Sequence, residues 1–373
     1  MSVPTGIATL PSHVVPLSEM DAAWRERSAG ERLAAVRGAG ARLRERVLES
    51  GRAVCVRTFD LAVLPYPTRF GLGGAASSPL GFLMMTNRMN VVQIAGEDGQ
   101  VRTLLFNPTD AERSAEAPYF RALRRGLSGR IAEKLFRGVL RRPKVGEHLA
   151  AIGLSPVDVD YVAFDHLHVQ DLRAMLGGEQ PLFPRAKLLV WRPELDIFRG
   201  LHPLQRPWYI PEGVDGIPDE RVIVCEGDLL LGRGVALVRT PGHTVGNWSL
   251  VVNTDSGIWA VSENGIACDA YAPAASAIGG VARWARKSDL EFVLNSNTLE
   301  LRHEQYTSMA LEKTLVDRCA KNPDFFQHFA SSELTPSALA PGLAPTYRHG
   351  GIASGQVRVP RALREPLPLH ERP

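Results

Sequence analysis

The sequence predicts an α/β protein, and three observations carry that prediction. Short β-branched and apolar runs bounded by glycine breaks recur from residue 54 onward. Amphipathic stretches, with apolar residues at three- and four-residue steps, lie between and around them. The two kinds of segment alternate as far as residue 294, the pattern of helices layered on sheet. At 373 residues the chain exceeds one ordinary hydrophobic core, so the reading is one large domain with appendages. The expected division is an N-terminal helical arm over 1–50, the main domain over 51–330, and a C-terminal tail over 331–373.

Taken in order, residues 19–49 mix Ala, Leu and Val with Arg and Glu at helical spacing, giving one or two amphipathic helices. The pattern turns to strand at 54–64, 82–85, 91–94 and 101–106. Residues 110–144 return to helix and carry a basic run that includes Arg113, Arg121, Arg124, Arg125, Arg130, Lys134, Arg137, Arg141, Arg142 and Lys144. Such a run is read first as a solvated helix face. Further strands are expected at 161–164, 188–191, 222–225, 235–239, 249–252, 258–261 and 292–294, followed by a helix over 302–319. The proline-rich residues 331–373 read as an extended tail, wrapped on the surface or partly disordered.

Composition excludes several classes. With 45% hydrophobic residues the chain can bury a core without disulfides, and Cys55, Cys225, Cys268 and Cys319 form no CxxC pair. A formal charge of +3 over so long a chain gives no reason to expect nucleic acid. No secretory leader and no run of about 18 apolar residues occurs, so the expectation is a cytoplasmic protein with a small-molecule substrate and no integral membrane segment.

The chemistry concentrates at two places. A buried apolar run ends in Asp165-His166-Leu167-His168-Val169-Gln170-Asp171. Residues two apart in extended chain point to one side, so His166 and His168 can share an ion. The third ligand is expected from His243, in Thr240-Pro241-Gly242-His243-Thr244, where a strand gives way to a Pro-Gly turn. Three imidazoles with an open fourth position suit a catalytic zinc or iron ion. Asp165 is expected to orient His166 rather than to bind metal.

These segments, with Ile152-Gly153-Leu154-Ser155-Pro156 and Phe183-Pro184-Arg185-Ala186-Lys187, resemble the metallo-β-lactamase superfamily in order and spacing. The resemblance is greatest to the branch of acyl-homoserine lactonases and similar hydrolases. It implies a four-layer αββα sandwich with the metal site at one sheet edge.

The departures concern the second metal site that the resemblance implies. Where the family reads HxHxDH, this chain has Gln170 and Asp171; Glu263 stands for the bridging aspartate, with Asp269 in reserve, and Asn295 or Asn297 for the last histidine. The expected ligands are therefore His166, His168, His243, Asp171 and Glu263, the last two also taken as catalytic. They would hold one tight zinc at the three histidines and a looser second ion of zinc, manganese or iron, the alternative being one occupied site.

The function expected from this set is a metal-dependent hydrolase using a metal-bound hydroxide to cleave an ester, lactone, thioester or amide bond. The alternatives are a diiron redox or oxygenase-type protein, or a non-catalytic metal-binding member of the fold. Residues 70–79 and 203–218, the latter with Trp208 and Tyr209, are the expected walls of the site.

Overall fold

The computed structural model describes residues 3–126, 142–296 and 301–359. Arg130, Lys134, Arg137 and Arg141 of the basic run, and Asn297, lie outside the described residues. Two sheets form the centre. The six-stranded sheet runs β1 (Val15–Leu17), β8 (Asp228–Gly232), β9 (Val235–Arg239), β10 (Trp248–Thr254), β11 (Gly257–Ser262) and β12 (His328–Ala330). The larger sheet runs β14 (Ala353–Gly355), β2 (Cys55–Pro67), β3 (Phe82–Ala95), β4 (Val101–Phe106), β5 (Tyr161–Ala163), β6 (Lys187–Trp191) and β7 (Val222–Cys225), with β13 (Ser332–Leu334) pairing β3. Its β2–β3–β4 part is antiparallel, and β4 through β7 are parallel.

Alternation along each strand decides the layers. In β9, Val235 and Leu237 pack between the sheets with Leu104, Phe106 and Leu189. Ala236 and Val238 turn outward onto a helix that carries Val36, Ala39, Leu43 and Val47. In β4 the same alternation sends Leu105 to the far side, among Leu149, Met175 and Leu176. Helix, sheet, sheet and helix are therefore stacked as a four-layer αββα sandwich, as the resemblance implied.

The N-terminal helix Ala29–Ser50 begins where the Ser28 side chain accepts from the Glu31 N–H. It buries Val36, Ala39, Gly40, Leu43 and Val47, a stripe at helical spacing, against the helix Arg302–Leu315. The arm thus supplies one outer layer of the sandwich.

The region expected as a surface tail contributes strands. Ser332–Leu334 pairs with Asn87–Met85, and Ala353–Gly355 pairs with Arg57–Cys55. The attachment is ionic as well. Arg88, 1% exposed, lies 2.6 Å from Glu333 and 2.9 Å from Asp60, and Arg348 meets Glu333 at 2.9 Å. All four cysteines are buried and free of disulfides. Among the described residues no helix is long and apolar enough to cross a membrane.

Candidate metal centre

β5 ends at Ala163, and the chain leaves the sheet through Phe164 and Asp165 into the His166-Leu167-His168 segment. Asn107, just past β4, accepts the Asp165 N–H through Oδ1 at 3.0 Å and donates through Nδ2 to Ser331 Oγ at 2.9 Å. Val169 follows with φ +56°, a left-handed conformation costly for a β-branched residue, and its N–H is held by the Trp208 carbonyl at 2.7 Å. The two histidines therefore project from a forced turn beyond the strand, not from the strand itself.

The second segment is shaped by close approach. Gly242 (φ +155°) leaves no room for a side chain, since a Cβ there would lie 2.2 Å from Gln305 Cα. The His243 N–H donates to Asn264 Oδ1 at 3.1 Å. Asn264 is itself fixed by donating to Glu312 Oε1 at 3.0 Å. Glu312, wholly buried, also accepts from the hydroxyls of Ser249, Ser262 and Tyr271.

His166, His168 and His243 converge, each offering a nitrogen, with the three nitrogens within 4.8 Å of one another. The outer atoms of His166 and His243 fix their tautomers. The carboxylate Asp165 Oδ1 accepts from His166 Nδ1 at 2.8 Å, which leaves the lone pair on Nε2. The Asn295 carbonyl accepts from His243 Nδ1 at 3.2 Å, which leaves its lone pair on Nε2, 3.3 Å from His168 Nδ1. Burial first, and then the charge of neighbouring histidine, hold His168 well below the ordinary histidine range and push His243 down to about 3. Burial also opposes charge on His166, but the Asp165 carboxylate outweighs it and raises that ring. This donor set fits a divalent ion of zinc type.

A buried carboxylate that the sequence reading did not single out holds both segments together. Glu194 accepts the Leu167 N–H at 2.7 Å and the Tyr209 hydroxyl at 2.9 Å through Oε1, and the Thr244 hydroxyl at 2.6 Å through Oε2. Its partners are 15 to 50 residues away in the chain, so no local pattern announces it. Gly246 makes the contact possible, because a Cβ there would lie 2.3 Å from both the backbone N and the Cβ of Glu194. Gly246→Ala is therefore expected to push Glu194 off Leu167 and Thr244 and to weaken metal binding by about 10- to 100-fold, the usual effect of losing a ligand's support. Competition with a chromophoric chelator measures it, and an unchanged affinity would show that Glu194 is dispensable to the centre.

The other expected residues are distributed differently. Glu263 faces the cavity beside the histidines, bonded to Ser332, with Oε2 lacking a partner among the described residues. Burial, with the nearby Asp165 charge, pushes its carboxyl up to about 8. Asp171 is not brought to the centre: its carboxylate meets Arg173 at 2.7 Å and Arg113 at 3.2 Å. Gln170 lines the cavity and donates through Nε2 to Thr109 Oγ1 at 3.0 Å. Asn295 binds Tyr66 and the Glu263 carbonyl, and Asp269 is engaged by Ser276 and Thr346.

The cavity over the histidines has a volume of about 1800 Å³. Tyr66, Met85, Val145 and Trp208 give it an apolar wall, while Arg121, Arg124 and Lys144, paired to Glu116 and Glu112, stand near its rim. Of the two expected wall segments, 203–218 contributes Trp208, and 70–79 lines none of it. Tyr209 is buried instead, with its ring 4.7 Å from that of His168.

An αββα sandwich with three histidines gathered where strands β5 and β9 end defines the class: a layered α/β fold with a candidate metal centre, the arrangement that the sequence resemblance to the metallo-β-lactamase superfamily implies. No family model matches the chain. It is 28% identical over 133 residues to an N-acyl homoserine lactonase of Bacillus cereus, covering 33% of this chain and 48% of that one. To the N-acyl homoserine lactonase AiiA of Bacillus thuringiensis subsp. kurstaki it is 31% identical over 107 residues, 29% of this chain and 38% of that one. These matches span about half or less of the length of the curated relatives. Among solved structures, AidC, a dizinc quorum-quenching lactonase in complex with a product, aligns with TM-score 0.47 and 12% identity over 82% of this chain and 95% of that one. B. thuringiensis AiiA with N-decanoyl-L-homoserine at its active site aligns with TM-score 0.43 and 18% identity over 64% and 86%.

Proposed function

We propose that the protein is a metal-dependent hydrolase that cleaves an ester or lactone bond, or a related thioester or amide, of a small-molecule substrate, with zinc held by His166, His168 and His243. The observation that carries this reading is the convergence of three imidazole nitrogens, with the opposite ring atoms of His166 and His243 already committed to Asp165 and to the Asn295 carbonyl. Such an ion supplies Lewis acidity toward a carbonyl oxygen and lowers the pKa of water. The protein's own groups do the rest. Asp165 keeps the His166 Nε2 lone pair turned inward, and Glu194 keeps Leu167 and Thr244 in register, so the two histidine segments stay at one spacing. Glu263, a buried residue lining the cavity, would carry a proton between the attacking water and the leaving group. The apolar wall of Tyr66, Met85 and Trp208 takes the hydrophobic part of the substrate and keeps bulk water off the reacting carbonyl. The curated relatives are named as lactonases, which supports a lactone within the ester class.

The test is a panel of aryl esters, thioesters and γ-lactones assayed with zinc-loaded protein before and after dialysis against a chelator. Hydrolysis that disappears with the metal and returns on adding zinc is the expected result. Hydrolysis that persists in metal-free protein, or no turnover of any member by the loaded protein, would defeat the proposal.

A further inference from the structure

The space beside the three histidines is bordered by oxygen atoms, and the resemblance implies a second ion there. We propose that this chain takes none and works with one ion per chain. The inference rests on the three-histidine reading above and concerns what the neighbouring residues are already doing.

Asp171 has the charge a second ion would need, but both its oxygens are in use. Oδ1 accepts from Arg173 Nε at 2.9 Å and from the Arg173 backbone N–H at 3.1 Å. Oδ2 accepts from Arg173 Nη2 at 2.7 Å and from Arg113 Nη1 at 3.2 Å. A metal ion would have to displace two guanidinium groups, and those groups would then repel it. The clamp also has a structural use, because Arg113 lies in the short helix Ala111–Ser114 at the cavity border and Arg173 follows the histidine turn. Asp171 thus ties these two parts of the wall and is a positioning residue.

The remaining oxygens do not make up the loss. Asn295 Oδ1 accepts from the Tyr66 hydroxyl at 2.9 Å, and Asp165 Oδ1 is taken by the ring and backbone N–H of His166. Glu263 Oε2, Asp165 Oδ2 and Gln170 Oε1 are left without a hydrogen-bond partner among the described residues. One of these belongs to a neutral amide, and one to a carboxylate already engaged as His166's acceptor. They are not gathered around a point with a further ligand: among the described residues, the three histidines are the sole set of three His, Cys, Asp or Glu donor atoms within 4.8 Å of one another. A second divalent ion needs several anionic or imidazole donors at about 2 Å, and the site concentrates only the one set.

The experiment is metal counting on the full chain. Zinc-loaded protein, freed of excess ion, is measured for zinc per chain by mass spectrometry, and the metal-free protein is titrated with Co(II) while its visible absorption is followed. One ion per chain, a break at one equivalent of Co(II), and an unaltered Co(II) spectrum in Asp171→Asn are the expected results. Two ions per chain, a break at two equivalents, or loss of an ion in Asp171→Asn would overturn the inference while leaving the three-histidine centre standing. Folded protein that binds no ion would overturn that centre, and the inference with it. If Asp171→Asn does not fold, the wild-type stoichiometry decides alone.

Discussion

His243→Ala is expected to lower kcat/KM by about three orders of magnitude, because a metal contributes several kcal/mol of transition-state stabilisation and each 1.4 kcal/mol is a factor of ten. The loss should be this large because His243 Nε2 faces His168 Nδ1 at 3.3 Å, so removing it opens the cluster on the side held by Asn264 and Asn295. His166→Ala and His168→Ala should behave alike. The His166 variant should additionally leave the Asp165 carboxylate, 2% exposed, without its ring donor. Steady-state kinetics and metal content on the same preparations check this. Full ion content in the triple alanine variant would show that the ion is held elsewhere.

Glu333→Ala is expected to reduce the free energy of unfolding by about 3 kcal/mol, the low end of what removing one partner of a buried ion pair costs. Arg88 is 1% exposed, and Glu333, 2.6 Å away, is its one fully buried anion; Asp60 is half exposed and keeps part of the compensation. Arg348 loses its partner in the same step. Replacing both members of the buried pair, Arg88→Met with Glu333→Leu, should recover most of the loss, since no uncompensated charge then remains inside. Urea denaturation followed by tryptophan fluorescence reads both variants. A Glu333→Ala protein as stable as the parent would mean that the C-terminal strands are held by backbone pairing alone.

The structure also shows how far local pattern reaches. His166, His168 and His243 were legible because their signals are local: a two-residue spacing at a strand end, and a histidine after Pro-Gly. The same proximity misleads at Asp171. It follows His168 closely enough to be taken for a ligand, yet Arg173, two residues on, and Arg113, fifty-eight residues back, hold it instead. A carboxylate goes to whichever cations the fold brings within hydrogen-bond distance, and sequence gives the candidates without the distances. In residues 331–359, expected as part of an extended tail, two short strands escape notice for a related reason. Strands of three residues interrupted by prolines carry too little periodicity to be seen, and they become strands only when β2 and β3 offer edges to pair with.

The sequence by itself determined the α/β layering and the three histidines that converge, because alternation along a strand and donors beside a turn are fixed over a few residues. The tertiary structure alone decided the supports of that centre: Glu194 between Leu167 and Thr244, Asn264 between His243 and Glu312, and Ser332 on Glu263. Each is a buried polar group whose burial costs free energy unless it is hydrogen-bonded, and its partners come from parts of the chain that only the tertiary fold brings together.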